Sequence, residues 1–185
     1  MLDDIFNDAK KKMVKNVDAL KRHLSTMRTG RASPSLVSDI RVDCYGEKMP
    51  LSQLATISIP ESGLIVIQPW DPTVLKDIEN SILRSGNELT PASDGNVIRI
   101  AIPPLSEERR KKLGVMAAKN CEEGRAALRN VRKEIRNQIR DLEKQKDVSE
   151  DEASIAYDDL QKMTDEFIAQ IDEIQEAKQK ELMEF

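Results

Sequence analysis

Three stretches of this chain repeat apolar residues every three or four positions, and no other feature narrows the possible folds as far. The first runs Leu2, Ile5, Ala9, Met13, Val17, Leu20, Leu24, Met27; the second Leu113, Ala117, Cys121, Gly124, Leu128, Val131, Ile135, Ile139, Leu142; the third Ala153, Ala156, Leu160, Met163, Phe167, Ile171, Ile174, Leu182. That spacing lines each set along one side of an α-helix and would scatter it over both faces of a strand. Each stripe is narrow, so no helix buries its own; packing all three together at a shallow angle hides every stripe at once. End signals agree with these spans. Gly30 breaks the first helix and Pro34 disfavours helix at Ser33. Ser106 caps the second helix with Glu107 and Glu108 in its first turn, and Ser149 with Glu152 forms a capping box for the third. The second helix spans roughly 40 residues, about 60 Å. Gly114 and Gly124 are weak helix formers, about 1 kcal/mol worse than alanine, and predict a looser stretch there.

Between the first and second helices the texture changes. Residues 40–45, 56–59, 64–67 and 97–102 are β-branched runs that read as strands, separated by turns at Gly46, 60–63 and Asp94-Gly95. Val74, Leu75, Ile78, Ile82 and Leu83, ahead of Gly86, have helical spacing. The predicted fold is therefore α+β: an elongated antiparallel three-helix bundle from residues 1–30 and 105–185, with a small β/α/β domain, 31–104, inserted between two helices. Two short connections, 29–35 and 103–106, are rich in Gly, Ser and Pro. They suit a two-stranded hinge, and equally a fixed interface.

The charge is segregated along the chain. Against a formal net charge of −4, residues 1–30 carry 7 basic and 4 acidic groups, 31–105 carry 6 and 9, 106–145 carry 12 and 7, and 146–185 carry 4 and 13. An acidic protein can thus present a basic face to a polyanion. No run approaches the ~20 apolar residues of a membrane span, and the charged start lacks the apolar segment of a secretion signal, so the expectation is a cytoplasmic protein without membrane association. Cys44 and Cys121 stand far apart and read as small buried hydrophobes. No phosphate-binding glycine loop and no catalytic motif occurs. The one histidine, His23, lacks metal or acid-base partners and reads as exposed. Neither an enzyme nor a metal protein is expected.

The informative pattern is Arg125, Arg129, Arg132, Arg136 and Arg140, spaced to align on one flank of the second helix just past the core line. Guanidinium forks fit phosphates, and a rigid helix holds several in a row, which points to RNA. The third helix, however, repeats acidic pairs every seven residues, Asp151-Glu152, Asp158-Asp159, Asp165-Glu166 and Asp172-Glu173, so interhelical ion pairs explain the arginines equally well. By heptad position, Arg125 and Arg132 lie beside the seam and can pair, whereas Arg129 and Arg136 point outward. Lys10, Lys11, Lys12 and Lys15 read as a solvated face. A structural or adaptor rod, with the same charges serving protein partners, is the alternative to RNA binding.

Four motifs, in order along the chain, resemble one family. They are Thr29-Gly30-Arg31-Ala32-Ser33-Pro34-Ser35-Leu36; Pro103-Pro104-Leu105-Ser106-Glu107-Glu108-Arg109-Arg110-Lys111; Arg129-Asn130-Val131-Arg132-Lys133; and the ending Leu182-Met183-Glu184-Phe185. Together they are similar to the bacterial ribosome recycling factors over the whole chain. The resemblance implies a monomeric factor of tRNA-like outline that binds the 70S ribosome after termination. With elongation factor G, which uses the GTP, it would separate the subunits and free messenger RNA and deacylated tRNA, needing no cofactor of its own. It implies that the bundle lies on large-subunit rRNA, with Arg132 as principal contact, Arg129 on the same flank, and Arg28 and Arg31 near the hinge. Arg125 and Arg136 complete the candidate rRNA set. The hinge would be Gly30, Arg31, Ala32, Ser33 and Pro34 with Pro103, Pro104 and Leu105.

Overall fold

The computed structural model describes residues 1–184; Phe185, the last residue of the C-terminal motif, lies outside the described residues. Element order is α1 (Leu2–Ser25), β1 (Arg41–Cys44), β2 (Glu47–Pro50), β3 (Ala55–Glu61), β4 (Leu64–Pro69), α2 (Leu75–Arg84), β5 (Pro91–Ser93), β6 (Ile98–Ala101), α3 (Glu107–Lys144) and α4 (Glu150–Met183). Contacts divide the chain into two compact units, Met1–Leu24 with the chain from Lys111 onward, and Ser25–Arg110. The division falls at 24/25 and 110/111 instead of 30/31 and 104/105 because both connections are bonded to the insert's side. Ser35 Oγ donates to the Ser25 carbonyl at 3.1 Å and Arg110 Nη2 to the Leu105 carbonyl at 3.1 Å. No helix among the described residues is long and apolar enough to cross a membrane.

In the first unit the three stripes meet. Ala9, Met13 and Val17 of α1, Ala117, Cys121, Leu128, Ile135 and Ile139 of α3, and Ala153, Leu160 and Ile171 of α4 are buried. The pairings fix the directions. Lys12 bonds Glu134 at 2.7 Å while Leu20 lies against Gly124, so α1 and α3 are antiparallel. Arg125 meets Asp172 while Glu143 meets Tyr157, so α3 and α4 are antiparallel too. Gly124 is a tightly packed point and not a loose stretch: a Cβ there would sit 3.2 Å from Leu20 Cδ2 and 3.3 Å from Ile171 Cδ1. A Cβ at Gly114 would meet nothing within 4 Å outside its own helical turn. On α4 the stripe drifts, burying Thr164 in place of Met163, and the Thr164 hydroxyl is satisfied by the Leu160 carbonyl at 2.8 Å. The capping box forms as predicted, with the Ser149 hydroxyl accepting from the Glu152 N–H and Glu152 accepting from the Ser149 N–H.

The second unit holds a two-stranded hairpin, β1-β2, and an antiparallel four-stranded sheet ordered β3-β4-β6-β5. Ile65, Ile67, Ile98 and Ile100 of the sheet, Val42 of β1 and Ile78 and Ile82 of α2 make one core. The first strand stops at Cys44, one residue short of expectation, because Tyr45 (φ 51°) and Gly46 (φ 78°) form the positive-φ turn of a tight hairpin. Two strands had no signal in the sequence: β2, whose Glu47–Pro50 pairs with β1, and the edge strand β5, where Pro91 faces Ile100. Cys44 and Cys121 are free and buried, as the sequence indicated, and burial pushes both thiols up in pKa.

Candidate nucleic-acid interface

The α3 arginines divide by the charge of what they touch. Arg125, its side chain only 17% exposed, donates through Nε and Nη2 to Asp172 Oδ1 at 2.9 and 2.6 Å and through Nη1 to Glu122 at 3.3 Å. Burial opposes its charge, but these carboxylates outweigh it and the guanidinium pKa is raised. Arg129 donates to Glu122 on its own helix. Those two cations are cancelled by anions within the molecule. Arg132 instead donates through Nη1 to the neutral amide oxygen of Gln161, and its Nε is buried with no hydrogen-bond partner. Arg136 lies over the Tyr157 ring, 5.4 Å from the centroid, and Arg140 donates to Asn137 at 3.1 Å. These three keep their full positive charge, in a row, on one helix.

This arrangement amends the sequence expectations in two ways. Arg136 does reach α4, through an aromatic face, which a search for acidic partners overlooks. The heptad ion-pair ladder is also not built. Among the described residues, Asp172 alone of the four acidic pairs bonds an α3 arginine, while Glu152 serves the helix cap and Asp165 accepts from Gln161 Nε2 at 2.8 Å. Lys12 departs from its solvated neighbours by bridging Asp8 at 3.1 Å and Glu134 at 2.7 Å.

Arg28 and Arg31 belong to the second unit, at the connections. Arg28 Nη2 donates to the Pro103 carbonyl at 3.4 Å and its Nε is buried without a hydrogen-bond partner; Arg31 is exposed. The candidate hinge residues are brought together side by side. Gly30 has φ 83°, and a Cβ there would lie 3.3 Å from Leu105 N and Cγ, so both its conformation and its neighbour demand glycine. Ala32 N–H donates to the Ser62 carbonyl and Ile102 N–H to the Gly63 carbonyl, each at 2.7 Å, pinning both connections to the β3-β4 turn. Ser33 caps the short turn Pro34–Leu36 by accepting from Ser35 N–H. Pro104 and Leu105 precede α3, with Leu105 buried.

Comparison with known proteins places this layout. The family model described as ribosome recycling factor matches residues 20–183. The ribosome-recycling factor of Carboxydothermus hydrogenoformans is 49% identical over 183 residues, 99% of both chains. That of a Geobacillus species is 50% identical over 184 residues, and that of Bacillus subtilis 46% over 184, each across 100% of both chains. A solution structure of the ribosome recycling factor superposes with a TM-score of 0.83 at 46% identity, covering 98% of this chain and 97% of that one. A Thermus thermophilus factor, described with Escherichia coli elongation factor G bound to the post-termination complex, gives 0.70 at 40% identity over 100% of both chains.

Proposed function

The chain belongs to the ribosome recycling factor family, and on that premise we propose that it acts with elongation factor G and GTP to take the post-termination ribosome apart into subunits. Messenger RNA and deacylated tRNA are then free to leave. What carries this reading is identity of 45–50% along essentially the whole chain with curated factors of that one name. The protein makes and breaks no bond of its own: the GTP is hydrolysed by its partner, and it works in the cytoplasm, where its substrate is.

In this mechanism the bundle rests on large-subunit rRNA through Arg132, Arg136 and Arg140. Their support is the geometry of uncancelled charge: the Arg132 guanidinium, bonded to the neutral Gln161 amide, meets a phosphate at no cost in broken ion pairs. Arg129 joins them by exchanging Glu122 for phosphate, while Arg125 holds α3 to α4. Arg28 and Arg31 supply contacts at the connections, where Gly30–Pro34 and Pro103–Leu105 act as the hinge through which the partner's motion reaches the β unit. The test is subunit splitting of post-termination ribosomes, followed by light scattering, with this protein, elongation factor G and GTP added singly and together. Splitting only with all three is expected; splitting that is independent of this protein would overturn the reading.

A further inference from the structure

At the start of α1 and of α4 the two helices lie side by side, and between them runs a groove of about 260 Å³. Leu2 and Phe6 of α1 and Ala156 of α4 form its floor, and Ile155, 62% exposed, stands at its edge. An isoleucine left this far in water, with Asp151, Glu152, Asp158 and Asp159 three and four positions to either side of it on the helix, is not accounted for by the packing of the bundle. The rim is acidic: Asp3, Glu152 and Asp159 surround the floor, and among the described residues no Lys or Arg lines the groove. Glu152 is held as a carboxylate, since the Ser149 N–H and hydroxyl both donate to it and keep its pKa below the usual range.

We propose that this groove docks a basic segment of a large-subunit ribosomal protein, which inserts one apolar side chain between Phe6 and Ile155 and sets lysines or arginines against Asp3 and Asp159. The proposal rests on the ribosomal reading above. Charge selects the class of partner. Three carboxylates around one small groove repel an RNA backbone brought within a Debye length of ~8 Å, which favours protein over RNA as what this end of the bundle meets on a ribosome. Proteins that hold RNA carry Lys- and Arg-rich extensions, which complement such a rim, and the floor fits a leucine- or phenylalanine-sized anchor. The arginine flank and this groove would then divide the ribosome between them, RNA to the first and protein to the second.

A benzophenone attached at Ile155→Cys tests this directly, because Cys44 and Cys121 are buried and leave position 155 as the reactive thiol. The labelled full-length protein is bound to purified large subunits, irradiated, and treated with ribonuclease. The expected product is an adduct with a ribosomal protein, mapping to a Lys/Arg-rich segment. Adding Asp3→Lys and Asp159→Lys should lower its yield about fivefold, since two attractive charge pairs become repulsive. An adduct with rRNA or with a second copy of this chain, no adduct despite co-sedimentation, or a yield unmoved by the charge reversals would overturn the groove assignment while leaving recycling intact. Failure of the labelled and unlabelled proteins alike to co-sediment with subunits would instead overturn the ribosomal reading, and this proposal with it.

Discussion

Arg132 of α3 donates to the side-chain oxygen of Gln161 on α4, and so the central arginine of the flank is held in place by a partner that leaves its charge intact. A carboxylate at position 161 would hold it as well but cancel it. Gln161→Glu should therefore preserve the fold, with little change in thermal stability because the ion pair gained with Arg132 is offset by the lost bond to Asp165, while weakening large-subunit binding. Arg132→Ala should lose about tenfold in affinity with unchanged helical circular dichroism, and the salt dependence of binding should fall by about one phosphate contact. Full affinity in Gln161→Glu would show that the charge of Arg132 is not what the ribosome senses.

Arg125 is expected to behave in the opposite way. Its guanidinium is mostly buried and bonded to Asp172 and Glu122, so removing it leaves α4 without its tie to α3 at this level. Arg125→Ala should cost about 1–2 kcal/mol in urea unfolding, with the exposed Asp172 end of the pair moderating the loss. Affinity per folded molecule should change less than in Arg132→Ala. Comparing the unfolding midpoint and the binding isotherm of the two variants separates the structural arginine from the contacting one.

The three helices were legible because each stripe repeats over six turns or more, and a period sustained that long has a single structural reading. The strands β2 and β5 were not. Glu47–Pro50 has no β-branched residue and becomes a strand because β1 lies beside it, and Pro91–Ser93 is drawn into the sheet by β6. The site divides in the same manner. The alignment of five arginines follows from spacing within one helix, but whether each meets Gln161, Asp172 or the Tyr157 ring depends on the register between helices whose contacts lie 21 to 47 residues apart in sequence. Gly30 was visible as a helix stop, whereas its second role, leaving room for Leu105, comes from a residue on the other connection.

Two glycines of α3 should respond to the same substitution with opposite signs. Alanine gains about 1 kcal/mol over glycine in a helix interior. At Gly114 a Cβ meets nothing within 4 Å, so Gly114→Ala should raise the unfolding free energy by about that amount. At Gly124 the added methyl would press on Leu20 and Ile171, both in the shared core, and overpacking there costs about 1–3 kcal/mol. Gly124→Ala should accordingly lower the melting temperature. A rise in both variants would mean that the three helices separate at Gly124 more readily than their packing indicates.

Acid should loosen the β1-β2 turn through Asp71. The Tyr45 hydroxyl donates to its Oδ2 and the Thr73 N–H to its Oδ1 at 2.9 Å, and these bonds, the tyrosine's first, hold the carboxyl below the usual carboxylate range. A depressed folded-state pKa means that the contribution is present in full above the ordinary value and is lost as the pH falls through the lowered one. Trp70, the one tryptophan, adjoins Asp71 in sequence, is 65% exposed, and is fixed by its Nε1 donating to Thr56 at 2.9 Å. Its fluorescence should thus titrate with a midpoint below that of an unperturbed aspartate. Tyr45→Phe removes the largest cause of the shift and should move that midpoint up toward the ordinary value, leaving the emission at neutral pH nearly unchanged. A midpoint that stays put in Tyr45→Phe would assign the lowered value to the Thr73 bonds alone.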